Sequence, residues 1–294
     1  MKIVIDENAG FCSGVSSAVR KAEKELERSG RLYCLGNIVH NTVERNRLQK
    51  KGLEIIDYDT FRSLKNTRVL IRAHGEPPEI YKIARDNNLV LIDATCPIVT
   101  RLQLKVKEAL EESEKKGGCI VIFGKKEHPE VVALRGITGG KAKVARTPDE
   151  IKNTSIGTPV FLFAQTTMNR EVYKQIEEEI RQYITSSEDD TEPVMHTHHT
   201  VCGEVSCRLP RIREFAEHFD IILFVSGKES SNGKMLFEAC KQANSSSHFV
   251  SAISDLKNID FTGAASIGIS GATSTPPWLL DKVKEAVIER VGKI

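Results

Sequence analysis

No uninterrupted apolar stretch in the 294 residues approaches the roughly 18 needed to cross a bilayer, so nothing in the chain reads as a membrane helix. The start, MKIVIDENAG, runs straight into a strand-like segment without a basic n-region, a long apolar core or a small-residue cleavage site. The chain is therefore expected to be cytoplasmic. Charge of neither sign dominates: 42 basic residues face 40 acidic ones, a formal net charge of +2, which removes any global field pointing to nucleic acid or an anionic membrane. Also missing is a CxxC pair, the usual nucleus of a four-ligand structural zinc site.

Cysteine itself is present, in an odd number, 7. A reducing cytosol and an odd count both argue against a disulfide framework, so each cysteine is a core residue, a ligand or a nucleophile. Hydrophobic residues at 40% and charged ones at 28% describe an ordinary globular protein, and the length suggests two or three domains.

Short β-rich runs alternate with amphipathic segments: IVI near Lys2, VLIR at Val69, LVLID at Leu89, CIVIF at Cys119, VFLF at Val160, IILFV at Ile221 and SIGIS at Ser266. In SSAVRKAEKELERSG, Val15, Ala18, Val19, Ala22 and Leu26 share one helix face, and Gly30 is placed to cap the end. Strands alternating with helices predict parallel sheets in an α/β architecture, with ligands at the carboxyl ends of strands.

The loops at those ends repeat. GFCSGV holds Cys12, GNIVHN His40 and RAHGEPP His74; DATCPIVT holds Cys96, GKKEHPE His128 and Glu130, and AQTTMN Thr166 and Thr167; TVCGEV holds Cys202, SGKESSN Ser230 and Asn232, and SGATSTPP Ser274. From each cysteine to the next polar site the interval is 28, 32 and 28 residues. A period near a hundred residues describes a triplicated domain and not a solenoid. The units expected are 13–96, 97–195 and 196–294, with the N-terminal strand 1–12 a candidate to join the last.

If three such units face one pocket, Cys12, Cys96 and Cys202 meet there, two of them near helix N-termini that favour a thiolate. Three thiolates suit an iron-sulfur cluster with one iron left open to act as a Lewis acid. Taken singly, any of the three could be a core cysteine. Cys34, Cys119 and Cys240 fall within strand or helix patterns and are read as core. His40, His74, His128, Ser230, Asn232 and Ser274 suit a phosphorylated substrate, although Ser230 or Ser274 taken alone is more readily read as a helix cap. Glu130 could hold a proton in a closed pocket, or complement a helix dipole from the first turn.

The series GFCSGV, GNIVHN, RAHG, DATCP, HPE, QTT, SSN and STP, in that order over nearly the whole chain, closely resembles the 4-hydroxy-3-methylbut-2-enyl diphosphate reductases. These close the methylerythritol phosphate route to isoprenoids. The resemblance implies three similar α/β domains in a pseudo-three-fold arrangement around a central 4Fe-4S cluster, whose apical iron takes the substrate's C4 hydroxyl. It implies Cys12, Cys96 and Cys202 as cluster ligands and His40, His74, His128, Ser230, Asn232 and Ser274 as the diphosphate site. It further implies a proton relay of Glu130 with Thr166 or Thr167, a ferredoxin or flavodoxin as electron donor, and isopentenyl and dimethylallyl diphosphate as products.

One stretch departs from the family. After the third cysteine a Thr and an Arg-Gln pair usually open a long helix, whereas TVCGEVSCRLPRIREF carries Cys207 and Pro210, which predicts a helix starting near Leu209 or broken there. Cys207 is thus a rival to Cys202, which the 28-residue spacing favours. HTHHT at His196 to Thr200 is a histidine cluster of a kind that sometimes binds metal, and is read in preference as a solvated loop. Rival functions are a zinc hydrolase, which would be colourless, a cysteine-histidine acyltransferase, which needs one cysteine, and an iron-sulfur sensor, which has no use for Glu130.

Overall fold

Residues 1–152, 156–185 and 194–292 are described by the computed structural model. The chain divides into two compact units, one of Met1–Ile56 with Cys207–Ile294, the other of Asp57–Ser206. The strands are β1 (Lys2–Ile5), β2 (Leu32–Leu35), β3 (Leu53–Ile56), β4 (Arg68–Ile71), β5 (Val90–Asp93), β6 (Cys119–Phe123), β7 (Lys143–Ala145), β8 (Val160–Ala164), β9 (Met195–Thr197), β10 (Ile221–Val225), β11 (Ser247–Val250) and β12 (Ser266–Gly271).

In the first unit β1, β12, β10 and β11 lie side by side in that order, all parallel, and β2 pairs in parallel with β3. The N-terminal strand thus joins the C-terminal segment, Ile3 opposite Ile267 and Ile5 opposite Ile269. In the second unit the order is β7, β6, β8, β9, again all parallel, and β4 pairs in parallel with β5. This is the expected α/β class with parallel sheets.

Helices cover both faces of the central strands, which is why IILFV and VFLFA are buried at every position. On β10, Ile221, Leu223 and Val225 share a core with Leu279, Leu280, Val283 and Val287 of the helix Pro277–Val291. The alternate residues Ile222 and Phe224 pack with Ile212 and Leu236 from the helices Arg208–Glu217 and Ser231–Ala243. On β8, Leu162 meets Tyr173 and Ile176 of Arg170–Thr185, while Phe161 and Phe163 meet Leu102 and Val106 of Pro97–Lys116. Each such side chain contributes about 1.5–3 kcal/mol on burial, so these sheets are rigid platforms for the loops at their ends.

Local readings held in detail. Ala18, Val19, Ala22 and Leu26 are buried, and Gly30 (φ 69°) ends the helix Ser13–Ser29 by donating its N–H to the Leu26 carbonyl. Cys34 and Cys240 are buried, and Cys119, half-buried in β6, has its thiol pushed up by burial. The strands β3, β7, β9 and β11, of three or four residues, carry no apolar run that marks them in the sequence. The helix with Pro210 begins at Arg208, one residue earlier than expected; proline sits in the first turn, where no intrahelical N–H bond is due. HTHHT is a correction: His196 lies in β9, and His196 and His198 stack on Phe161 and Phe163. Among the described residues no helix is long and apolar enough to cross a membrane.

Candidate active site

Three parallel strand pairs build one and the same arrangement. At β4 and β5, Cys96 follows β5 and donates its N–H to the carbonyl of Ala73, 3.0 Å away in the loop that carries His74. At β8 and β9, the N–H of Cys202 reaches the Thr166 carbonyl at 2.8 Å. At β12 and β1, the N–H of Cys12 reaches the Thr273 carbonyl at 3.1 Å, one residue from Ser274. Each cysteine is therefore hung on the loop that ends the neighbouring strand. None of the three is in a disulfide, and all are half-buried. Cys12 and Cys96 are N-cap residues of the helices Ser13–Ser29 and Pro97–Lys116, with extended backbone. Cys207 differs: it is exposed and enters the helix Arg208–Glu217 in αR conformation.

In the second unit Glu130 is 1% exposed, at the second position of the helix Pro129–Ile137. Both carboxylate oxygens are engaged by one residue. The Thr166 N–H donates to Oε1 and its hydroxyl to Oε2, each at 2.7 Å. Burial pushes the carboxyl up to about 7, against the two Thr166 hydrogen bonds that favour the anion. Its burial sets it apart from an ordinary first-turn acid, which would be solvated. Thr167 is not on Glu130; its hydroxyl accepts from Gln165 Nε2 at 2.7 Å, and Gln165 Oε1 accepts the Lys125 N–H at 3.1 Å.

His128 caps its helix by accepting the Glu130 N–H at Nδ1, 3.2 Å, and stands edge-on to His74 with ring centroids 5.1 Å apart. The His74 loop is braced below by a buried network. Arg72 Nε bonds Glu76 Oε1 at 3.1 Å, and the Tyr58 hydroxyl donates to Oε2 at 2.6 Å. Burial raises the Glu76 carboxyl and pushes the Tyr58 phenol up to about 12. Between Arg72 and Glu76 the chain turns through Gly75 (φ 70°), where a Cβ would run into the Gln103 side chain.

The first unit assembles the remaining polar residues. Ser230 does cap the helix Ser231–Ala243, accepting the Gly233 N–H at 3.0 Å. Ser274 is no cap: its hydroxyl reaches Ser230 Oγ at 3.3 Å and the His40 carbonyl at 3.5 Å. Gly227 lets the chain pass against that same carbonyl, where a Cβ would collide. Asn232 uses Oδ1 to take the Thr273 hydroxyl at 3.0 Å, which leaves its Nδ2 buried with no hydrogen-bond partner among the described residues. Asn41, beside His40, shows the same feature: Oδ1 accepts the Glu44 N–H at 3.1 Å and Nδ2 is buried without a partner. Buried donors at a helix N-terminus suit an anion.

The structure thus gathers His40, Ser230, Asn232 and Ser274 in one unit, and His74, His128, Glu130 and Thr166 in the other. Sequence reading passed over Gln165, Thr273 and Asn41. Each adjoins a residue it had singled out, and adjacency was the available signal.

The family model described as LytB protein matches residues 3–288. A 4-hydroxy-3-methylbut-2-enyl diphosphate reductase of Bacteroides fragilis is 45% identical over 293 residues, covering 100% of this chain and 99% of that one. One of Porphyromonas gingivalis is 47% identical over 283 residues, covering 96% of each. A solved (E)-4-hydroxy-3-methyl-but-2-enyl diphosphate reductase, the terminal enzyme of the non-mevalonate pathway, superposes with TM-score 0.74 at 33% identity, over 98% of this chain and 99% of the other. The Plasmodium falciparum reductase shares the fold, with TM-score 0.79 at 23% identity over 96% of this chain and 86% of its own. With matches spanning almost its full length, the chain belongs to the LytB protein family.

Proposed function

We propose that this chain is a 4-hydroxy-3-methylbut-2-enyl diphosphate reductase, converting that allylic alcohol to isopentenyl and dimethylallyl diphosphate. The C–O bond at C4 breaks; two electrons, delivered singly by a ferredoxin or flavodoxin, and two protons enter. One proton leaves with the hydroxide as water and the other ends on the allyl carbon skeleton. Full-length relatives that carry this name support the reading.

Cys12, Cys96 and Cys202 would hold a 4Fe-4S cluster, each from the end of a different parallel strand pair. The donor set fits: three half-buried thiols outside any disulfide, in matching loops, two at helix N-termini, with soft ligands of the kind iron-sulfur clusters take. When bound, the cluster supplies single-electron transfer and, at an iron without a protein ligand, a Lewis acid for the hydroxyl.

The observation that carries the reading is the continuity from Glu130 through Thr166 to Cys202. Thr166 gives its N–H and hydroxyl to Glu130 and accepts the Cys202 N–H on its carbonyl. A carboxyl that titrates near neutrality stands one residue from a proposed cluster ligand. Protonated, Glu130 donates to the Thr166 hydroxyl, which then turns its own proton toward the departing hydroxyl; Thr167 orders the Gln165 side chain beside it. His40, His74, His128, Ser230, Asn232 and Ser274 would bind the diphosphate, the free Nδ2 of Asn232 taking a phosphoryl oxygen.

The test is iron, acid-labile sulfide and visible absorption on anaerobically purified protein, then turnover with the hydroxy-allylic diphosphate. Matched iron and sulfide, lost in both Cys96→Ser and Cys202→Ser, with turnover in the parent, is the expected result. A colourless protein after cluster reconstitution overturns it.

A further inference from the structure

One buried carboxylate in the first unit takes no part in the proposed chemistry. Glu44 stands in the first turn of the helix Thr42–Lys50 and is fully buried. Its N–H donates to the cap residue, at Asn41 Oδ1, 3.1 Å away, and so fixes the turn that carries His40. Its Oε2 accepts the indole N–H of Trp278 at 2.8 Å, from the far end of the chain. Arg47 grips the same carboxylate with Nε on Oε2 at 2.8 Å and Nη2 on Oε1, and its Nη1 reaches Glu23 Oε1 at 2.7 Å. Three helices are tied together by these bonds, and each starts beside a residue of the candidate site. They are Ser13–Ser29, which follows Cys12, Thr42–Lys50, which follows His40 and Asn41, and Pro277–Val291, which follows the Ser274 loop.

Taking a charge out of water is costly, and apolar packing of the same volume holds helices together at least as well. Apolar contact is already supplied here, since Val43 and Trp278 pack on the core that contains Leu279 and Leu280. What the carboxylate adds is direction, because hydrogen bonds to a charged group fix angles between helix ends that apolar contacts leave loose. The ends so fixed are the ones where the Ser274 hydroxyl reaches the His40 carbonyl at 3.5 Å. We propose that Glu44, gripped by Trp278 and Arg47, is a positioning residue for the diphosphate end of the substrate, setting the spacing between the His40–Asn41 turn and the Ser274 loop. The inference rests on the reductase reading for the identity of that anion. Glu44 acts through Asn41 and Trp278, and the two bonds from Arg47 offset a charge that would otherwise oppose an anion. Loosening the clamp removes binding that ground state and transition state share, so it weakens affinity and spares the chemical step.

The experiment is calorimetric titration with inorganic diphosphate, beside steady-state turnover, on the anaerobically purified parent, Trp278→Phe and Glu44→Gln. Trp278→Phe keeps a ring on the core and removes only the N–H; Glu44→Gln keeps the shape and breaks the ion pair with Arg47. In both variants the Kd for diphosphate and the KM for the hydroxy-allylic diphosphate should rise together, ~10-fold, with kcat and iron content little changed. A merely structural role would lower the denaturation midpoint and leave Kd and KM where they are, and that result overturns the proposal. So does a fall in kcat at constant KM. If Glu44→Gln does not fold, Trp278→Phe decides alone. A parent that binds diphosphate but carries no cluster and does not turn over overturns the reductase reading only, and the titration then decides the positioning role; a parent that neither turns over nor binds diphosphate overturns both.

Discussion

Thr166 closes both of its donors on Glu130, the backbone N–H on one carboxylate oxygen and the hydroxyl on the other, each at 2.7 Å. This single contact fixes the orientation of a buried acid, and it separates two threonines that are neighbours in sequence. Thr166→Val should lower turnover by about 10²-fold or more while leaving the iron content intact. Thr167→Val, which gives up a hydrogen bond to Gln165 and none to Glu130, should cost far less. Single-turnover kinetics of the two variants in parallel checks the difference, and equal losses would remove the direct bond from the mechanism.

Glu130→Gln keeps both Thr166 contacts, with the amide now donating, and should abolish turnover while retaining iron, sulfide and substrate binding. It also has a pH signature. The carboxyl's pKa rises on folding from an ordinary 4.5 to about 7. The folded state therefore binds the extra proton between those values, and stability contributed by this group is full at low pH and declines as pH rises through about 7. Relative to the parent, Glu130→Gln should thus gain stability between pH 5 and pH 8. Denaturant midpoints at the two pH values measure it; a constant difference would mean that Glu130 is ionised throughout.

Cys202 and Cys207 can be told apart by metal content. Cys202 repeats the loop-to-carbonyl bond of Cys12 and Cys96, and Cys207 is exposed in another setting. Cys202→Ser should lose the visible absorption and most of the iron, and Cys207→Ser should keep both. The reverse result would move the third ligand.

Asn232→Asp replaces a buried amide donor with a carboxylate while keeping an acceptor for Thr273. A like charge facing a diphosphate costs several kcal/mol, so KM should rise ~100-fold or more, with a far smaller change in cluster content. An unchanged KM would take Asn232 out of the substrate site.

Glu76→Ala leaves Arg72 buried without its carboxylate and strands the Tyr58 hydroxyl. The expected loss is about 3–5 kcal/mol, read as a fall in the denaturation midpoint. Tyr58→Phe, which removes one hydrogen bond, should cost about 1 kcal/mol.

Much of this was legible in the linear chain. Continuous apolar runs such as IILFV and VFLFA declared parallel strands covered on both sides, because only burial on two faces tolerates such runs. The recurring cysteine, histidine and threonine loops named the residues at the strand ends, since loop chemistry is local. The four-residue strands β1, β4 and β5 showed as apolar runs, whereas β3, β7, β9 and β11 escaped notice, because three or four residues of mixed polarity carry too little periodicity to be read. Pairing decided the rest. It set β1 beside β12 and so hung Cys12 on Thr273, residues at opposite ends of the chain. It gave Glu130 to Thr166 and not Thr167, a choice of side-chain direction at one turn. It turned HTHHT from a loop into imidazoles stacked on Phe161 and Phe163. Residue type and spacing fix what chemistry is available, but burial, and with it the raised pKa of Glu130, exists only once distant segments pack and exclude water.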